Sequence, residues 1–225
     1  MGPVIGEILP LAVGVAISPI PIIAAILMLL APKARATSVG FLIGWCAGIL
    51  VVTTAFVLLS AVIPATDSSD ERPVVGTIKI VLGALLLLVA ARQWRTRPRG
   101  SEKPALPRWM SAIATMTVAR GLALGFVLAA VNPKNLLLSA SAGIAIGTAG
   151  LSTGYEFLSI AVFAVAAAST VAVPVIAYFA AASRMRGPLE NLRVWLERNN
   201  HTVMSVLLLV IGVVVIGQGI AEFGA

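Results

Sequence analysis

Apolar residues run through this chain in long unbroken blocks, and the polar positions between them are few and grouped. Hydrophobic side chains do not alternate at every second position, so the blocks predict helices rather than strands. Six blocks can be followed, at roughly 4–31, 37–63, 74–91, 115–148, 155–182 and 203–220. As a single helix rising 1.5 Å per residue, the fourth would be about 50 Å long, while a bilayer core is about 30 Å thick. The first is overlong too. Each carries prolines near its middle, in Ser18-Pro19-Ile20-Pro21 and in Asn132-Pro133-Lys134-Asn135. Proline has no N–H, its ring clashes with the carbonyl four residues back, and the residue before it avoids helical geometry. Both blocks therefore predict two half-helices joined by an unwound turn. The breaks leave the carbonyls of Val15, Ile17 and Ala129 without their usual donors. They also turn half-helix N-termini toward the middle of the bundle, where Ser18 and Asn132 are natural caps.

The remaining punctuation is polar or basic. Lys33 and Arg35 follow the first block, and Pro64 and an acidic loop from Asp67 to Arg72 follow the second. After the third comes the most basic stretch, Arg92, Arg95, Arg97, Arg99, Lys103 and Arg108, with Trp94 and Trp109 placed as interfacial anchors. It reads first as a solvated topology signal and second as a contact for anionic headgroups. Between the last two blocks, Leu189, Leu192, Trp195 and Leu196 share one helical face opposite Glu190, Arg193, Glu197 and Arg198. That segment predicts a short helix lying in the headgroup region. Gly40, Gly44 and Gly48, and the pairs Gly121/Gly125 and Gly143/Gly147, stand at the spacing that lets helices approach closely.

Composition sharpens the class. Of 225 residues, 59% are hydrophobic and 11% charged, with a mean hydropathy of +1.02, far more apolar than a soluble domain. This is an integral membrane protein. The net charge of +7 does not indicate nucleic acid, because the cations cluster in short loops. The loops after the first, third and fifth blocks hold twelve of the sixteen Lys and Arg residues. The other side has Arg72 and Lys79 with most of the acids, which places both termini outside and the basic loops in the cytoplasm of a plasma-membrane protein. Glu7 and the absence of a basic n-region make the first block a span rather than a cleaved signal. One Cys46 and one His201 leave no disulfide, no multi-histidine metal site and no nucleophile–base pair. No nucleotide-binding loop occurs. Catalytic residues, cofactor and metal are not expected, and the chain is not read as an enzyme.

Six spans with both termini outside give the first and fourth opposite orientations. A shift of 114 residues lays Ser18-Pro19-Ile20-Pro21 over Asn132-Pro133-Lys134-Asn135, and Gly40-Phe41 over Gly154-Tyr155. The fold class expected is all-α, with six transmembrane helices in two inverted three-helix repeats. The repeats occupy 1–95 and 115–225, with a basic linker at 96–114. Matched helix breaks in two such halves point to a transporter's central site.

Lys134 is the ionisable group at that centre. It stands fourteen residues from both Arg120 and Thr148, roughly 20 Å each way and beyond a lysine's reach to water. Such a group is by default a functional candidate, and placing it there costs about 2.5–3.5 kcal/mol on insertion scales. Two readings stay open. Lys134, with Asn132, Asn135 and Ser18, receives an anionic or polyhydroxyl headgroup; or it is held by carbonyls freed at the breaks and only ties half-helices together. No Asp or Glu lies at any span centre, which disfavours a cationic solute.

The paired breaks, the Leu9-Pro10 to Pro21 opening and the Asn132-Pro133-Lys134-Asn135 stretch resemble the LysE-type exporter superfamily. More narrowly, they resemble the mycobacterial and actinobacterial sulfolipid- and glycopeptidolipid-addressing (Sap/GAP) family. The resemblance implies transport of complex glycolipids or peptidoglycolipids toward the cell surface, without ATP hydrolysis by this chain. The expected substrate site is Ser18, Pro19, Pro21, Asn132, Pro133, Lys134 and Asn135. The expected partners are membrane lipids and a larger lipid exporter, with homo-oligomerisation left open. Small-solute export, or a scaffolding role beside a lipid exporter, are the alternatives.

Overall fold

The computed structural model describes residues 1–32, 34–60, 72–97, 113 and 116–223. Lys33, Pro64, the acidic residues from Asp67 to Glu71, Arg99, Lys103, Arg108, Trp109 and most of the linker 96–114 lie outside them. The described elements are helices: α1 (Gly2–Ala16), α2 (Pro19–Leu30), α3 (Ala34–Ser60), α4 (Arg72–Arg95), α5 (Val118–Ala130), α6 (Pro133–Gly147), α7 (Thr153–Ala182) and α8 (Arg184–Ala221). Four of them, α3, α4, α7 and α8, are each long and apolar enough to cross a membrane. The pairs α1–α2 and α5–α6 meet that test only jointly, bent by 51° and 65° at the two proline breaks. The chain is thus a multi-pass membrane protein with four candidate spans, or up to six if each bent pair is one.

Apolar residues occupy the outside as well as the inside. Leu58 is 68% exposed, Leu88 67% and Val165 73%, while Phe41, Trp45, Phe163 and Leu138 are fully buried. Helices that are apolar all round belong in lipid. There the interior is ordered by close packing rather than by hydrophobicity. Gly40 abuts Val118, Gly44 abuts Leu122 and Gly48 abuts Phe126 and Ala129. Beyond the second break, Gly143 abuts Thr53 and Gly147 abuts Ser60. The bent pair α5–α6 therefore tracks α3 in the same direction from its beginning to its end. On the other side α4 and α8 run antiparallel, with Gly76 against Gly219 and Gly83 against Gly212.

Charge separates along the bundle. Arg35 lies 5.8 Å from the Phe179 ring centroid, and Thr96 Oγ1 is 3.4 Å from His201 Nδ1. The first joins the start of α3 to the end of α7, close in sequence to Arg184 and Arg186, and the second joins the end of α4, which carries Arg92 and Arg95, to the middle of α8. At the opposite end, Lys79 Nζ pairs with Glu7 at 2.8 Å and with Glu222 at 2.7 Å.

The amphipathic stretch departs from expectation. It does not form a separate interfacial helix, because it is continuous with the last apolar block through α8. No Pro or Gly falls between Leu189 and Ile211 to interrupt the hydrogen-bond ladder, and the discontinuity falls earlier, at Ala181 (φ −148°, ψ 52°). Its apolar face is also divided. Leu189 and Leu196 pack on Ile22, Ile26 and Leu29 of α2 and on Val175 and Tyr178 of α7, whereas Leu192 and Trp195 stay exposed.

At Gly44 and Gly125 an added Cβ would be driven into the backbones of Leu122 and Phe41, which cannot swing aside as a side chain can. Gly44→Val and Gly125→Val should each cost about 1–3 kcal/mol, read as a lower unfolding midpoint in detergent. Gly154→Ala, which meets nothing within 4 Å, should unfold like the parent.

Candidate functional site

The first break is tighter than a simple loss of proline N–H groups would make it. Ile17 (φ −79°, ψ 62°) adopts an inverse γ-turn, and Ser18 N–H donates to Ala16 O at 2.8 Å. That N–H would otherwise have served Gly14 O. Gly14 is left without a helical donor by this turn, and Ile17 by Pro21, which has no N–H. A buried carbonyl in that condition must find another partner. Lys134 Nζ donates to Gly14 O at 2.6 Å and to Ile17 O at 3.3 Å. From α7, Thr170 Oγ1 donates to Ala16 O at 2.5 Å.

At the second break Asn132 is extended (φ −62°, ψ 119°), as a residue before proline should be, and its Oδ1 accepts from Lys134 N–H at 3.1 Å. Asn135 Nδ2 reaches back to Leu128 O at 3.0 Å. Of the carbonyls expected to need donors, Ile17 is confirmed as one that receives a side-chain donor. Side chains also serve Gly14, whose donor the Ile17 turn has diverted, and Ala16 and Leu128. Side chains thus serve carbonyls at each break, and one of them, Lys134, belongs to the break opposite the carbonyls it serves.

A cavity of about 410 Å³ lies where the breaks meet. Its walls include Ser18, Asn132, Pro133 and Lys134, with Arg92 and Gln93 from α4 and Asn200 and Met204 from α8. Lys134 is 3% exposed, and its ammonium has a third N–H beyond the two given to carbonyls. Pro133 opens α6, and Pro19 and Pro21 lie in the first turn of α2, so these helix N-termini have few N–H groups to offer. The positive character of the cavity therefore comes from Lys134 and Arg92. No carboxylate lines it. The Oδ1 of Asn200 is buried with no partner, an acceptor that calls for a donor. An apolar groove of about 370 Å³ runs beside it between α4 and α6, along Leu85, Leu88, Leu136 and Leu137. The two hollows share Val89, Arg92 and Pro133 as a common wall.

The expected site residues divide accordingly. Ser18, Asn132, Pro133 and Lys134 line the cavity, and Arg92 joins them. Ser18 caps nothing with its side chain. Pro19 and Pro21 are buried in the first turn of α2; they make the break but are not cavity wall. Asn135 is fully buried against Leu128, with its Oδ1 unpartnered. Arg95 is exposed, and Arg97 stacks 3.6 Å from the Trp94 ring centroid. Gln93, Asn200 and Thr170 carry no local signal that singles them out, because their roles depend on which helices neighbour the breaks. Among the described residues no cluster of His, Cys, Asp and Glu could hold a metal.

A family model described as Sap, sulfolipid-1-addressing protein, matches residues 8–221, a range that contains both breaks and the whole cavity wall. No curated protein and no solved structure matches the chain.

Losing the Lys134 ammonium would strip two buried carbonyls of their donor at once. Lys134→Met should destabilise by about 2 kcal/mol, and Thr170→Val by about 0.6 kcal/mol, the usual scale of a hydrogen bond between membrane helices. Unfolding in a graded detergent mixture checks both values and their order.

Proposed function

We propose a transport function for this chain, which belongs to the Sap, sulfolipid-1-addressing protein family: it carries an anionic glycolipid or peptidoglycolipid across the plasma membrane toward the cell surface. Each bent pair counts as one span, so that six spans form two inverted halves, 1–95 and 115–225, joined by the basic linker 96–114. Both termini lie outside and the Arg-rich end of the bundle lies in the cytoplasm, consistent with the positive-inside rule. A place in the LysE-type exporter superfamily accords with this arrangement. The chain has no nucleotide-binding loop, acts without hydrolysing ATP itself, and hands its cargo to a larger exporter.

The observation that carries the reading is the shared wall between a cationic polar cavity and an apolar groove. An amphiphile matches both at once. Its anionic group meets the free N–H of Lys134 and the Arg92 guanidinium, a charge-assisted pairing, while a sugar hydroxyl gives the buried Asn200 oxygen the donor it lacks. A hydrocarbon chain leaves along Leu85, Leu88, Leu136 and Leu137. A small polar solute would have no use for the groove, and a cationic solute would find no carboxylate in the cavity. The same lysine holds the first break together, so the structural and binding readings of Lys134 are combined: two N–H groups fix the backbone and one faces the ligand.

Two measurements test this. Binding of a sulfated glycolipid to the protein in nanodiscs should weaken about 10- to 100-fold in Arg92→Gln and Lys134→Ala, the equivalent of one charge-assisted hydrogen bond. Asn200→Leu should bind less tightly, and Arg193→Gln, whose partners are Glu190 and Glu197 on its own helix, should bind normally. In cells the surface content of anionic glycolipid should fall in the same order. Export by Arg92→Gln and Lys134→Ala at the parental rate would overturn the transport reading. Separately, epitope tags at both termini should be digested by protease added to intact cells, whereas a tag in the 96–114 linker should be protected.

A further inference from the structure

Helix α4 presents two stripes to its surroundings. Leu85, Leu88, Val89 and Arg92 repeat at i, i+3, i+4 and i+7 and border the cavity and groove already described. Leu87, Ala90, Ala91 and Trp94 repeat at the same spacing two residues later, which turns them about 200° round the helix, to its other side. There they form a trough of about 350 Å³ with Ser205, Val206 and Leu209 of α8. A second trough, of about 560 Å³, runs along the neighbouring side of α8 against Val13 and Ile17 of α1. Val206 belongs to both, so it forms a ridge with a trough on either side.

Both troughs are apolar and open to the bilayer, with Val206, Leu209 and Val210 exposed. Their length suits one leaflet. Along α8 the second runs from Thr202 to Ile211, roughly 14 Å of helix, against about 15 Å for half a hydrocarbon core. Toward the Arg-rich end, charge and aromatic rings take over. Arg97 stacks on the Trp94 ring that closes the first trough. Seven residues before Ser205, and so on the same face of α8, stands Arg198, with Trp195 three residues earlier; both are exposed. Thr96 Oγ1 and His201 Nδ1, 3.4 Å apart, join α4 to α8 at this level. Among the described residues neither Arg97 nor Arg198 has a carboxylate partner, and the acids nearest Arg198 in sequence, Glu190 and Glu197, pair with Arg193.

We propose that an anionic two-chain phospholipid sits astride α8, with one hydrocarbon chain in each trough and its phosphate between Arg97 and Arg198. A guanidinium offers a phosphate two parallel N–H groups, and Trp94 and Trp195 stand where amphipathic rings meet headgroups. A zwitterionic headgroup is a poorer match, because its ammonium would be brought to two unpaired cations. A single-chain amphiphile fills one trough and leaves the other bare. This lipid is resident rather than cargo. Arg92 faces the other side of α4, so a headgroup held at Arg97 and Arg198 does not reach the cavity at Lys134. The seat therefore stands whether or not the chain transports a glycolipid.

The test uses the full chain in phosphatidylcholine liposomes carrying a minor fraction of phosphatidylglycerol brominated on its chains, which quenches nearby tryptophan fluorescence. Brominated phosphatidylglycerol should quench at a lower membrane fraction than brominated phosphatidylcholine. The excess should disappear in Trp94→Phe/Trp195→Phe, because those indoles border the seat while Trp45 is buried in the core. Arg97→Gln and Arg198→Gln should each weaken the preference about 5-fold, the effect of one cation at an anionic surface. Ala91→Phe, which fills the first trough, should weaken it as well. Arg35→Gln, a cation stacked on Phe179, should match the parent. Brominated lysophosphatidylglycerol should be held less tightly, and glycerol phosphate, the headgroup without chains, should not displace the lipid. Equal quenching by the two brominated phospholipids overturns the seat, as does a preference that survives Arg97→Gln/Arg198→Gln. Circular dichroism confirms that the variants are folded, and the comparison of lipids on the unsubstituted chain decides the question even if one is not.

Discussion

A carbonyl that has lost its helical donor inside a membrane has no water to turn to, and the two proline breaks create several such groups. Gly14, Ile17, Ala16 and Leu128 are all served by side chains: two by Lys134, one by Thr170 and one by Asn135. The arrangement is reciprocal in an economical way. Bringing a lysine to mid-bundle is unfavourable unless it has partners, and unwinding α1 is unfavourable unless its carbonyls have donors. Each defect relieves the other, so the breaks are stable only when they face one another.

The cavity follows from that pairing. Half-helices that stop short of one another leave space, and the residues bordering it are those that made the stop. What distinguishes the site from a generic break is the company supplied by α4 and α8. Arg92 adds a second cation, and Asn200 adds an acceptor without a donor. Along α4, Val89 and Arg92 belong both to the polar hollow and to the apolar groove, so the boundary between them lies along one helix face. A ligand with a charged head and a hydrocarbon tail fits that boundary without leaving either environment.

Glycine packing decides which parts can move against which. The seam between α3 and α5–α6, and the seam between α4 and α8, place backbone against backbone with no room for a Cβ. Parts joined so closely shift as units. Helix α1 meets α4 chiefly through Glu7 and Lys79, but it is fixed by shape on its other faces, where Ile8, Leu11, Ala12 and Val15 are buried in the core and Gly14 abuts Ile211 and Leu138.

Much of this was legible along the chain. Block length against bilayer thickness, together with proline chemistry, located both breaks, and the glycines expected to pack do lie against neighbouring helices. Lys134 was identifiable as buried because no snorkelling path existed within its own helix. Other features depended on the three-dimensional arrangement. Gly14 joined the carbonyls in need of a donor because the Ile17 turn diverted the Ser18 N–H, a local geometry that proline spacing does not specify. The amphipathic stretch from Leu189 to Leu196 has a periodicity that fits a headgroup-level helix equally well; contact with α2 and α7, and an uninterrupted hydrogen-bond ladder, made it part of α8. Thr170 and the Glu7–Lys79–Glu222 triad are joined to their partners across more than seventy residues of chain, and Asn200 and Gln93 reach the cavity from helices far along the chain from the breaks. By itself the sequence determined where helices must stop and which side chains cannot reach water, because those depend on covalent geometry and distance along one helix. Only the tertiary structure decided which helix stands beside each stop, because helices apolar on every face carry no one-dimensional record of their neighbours.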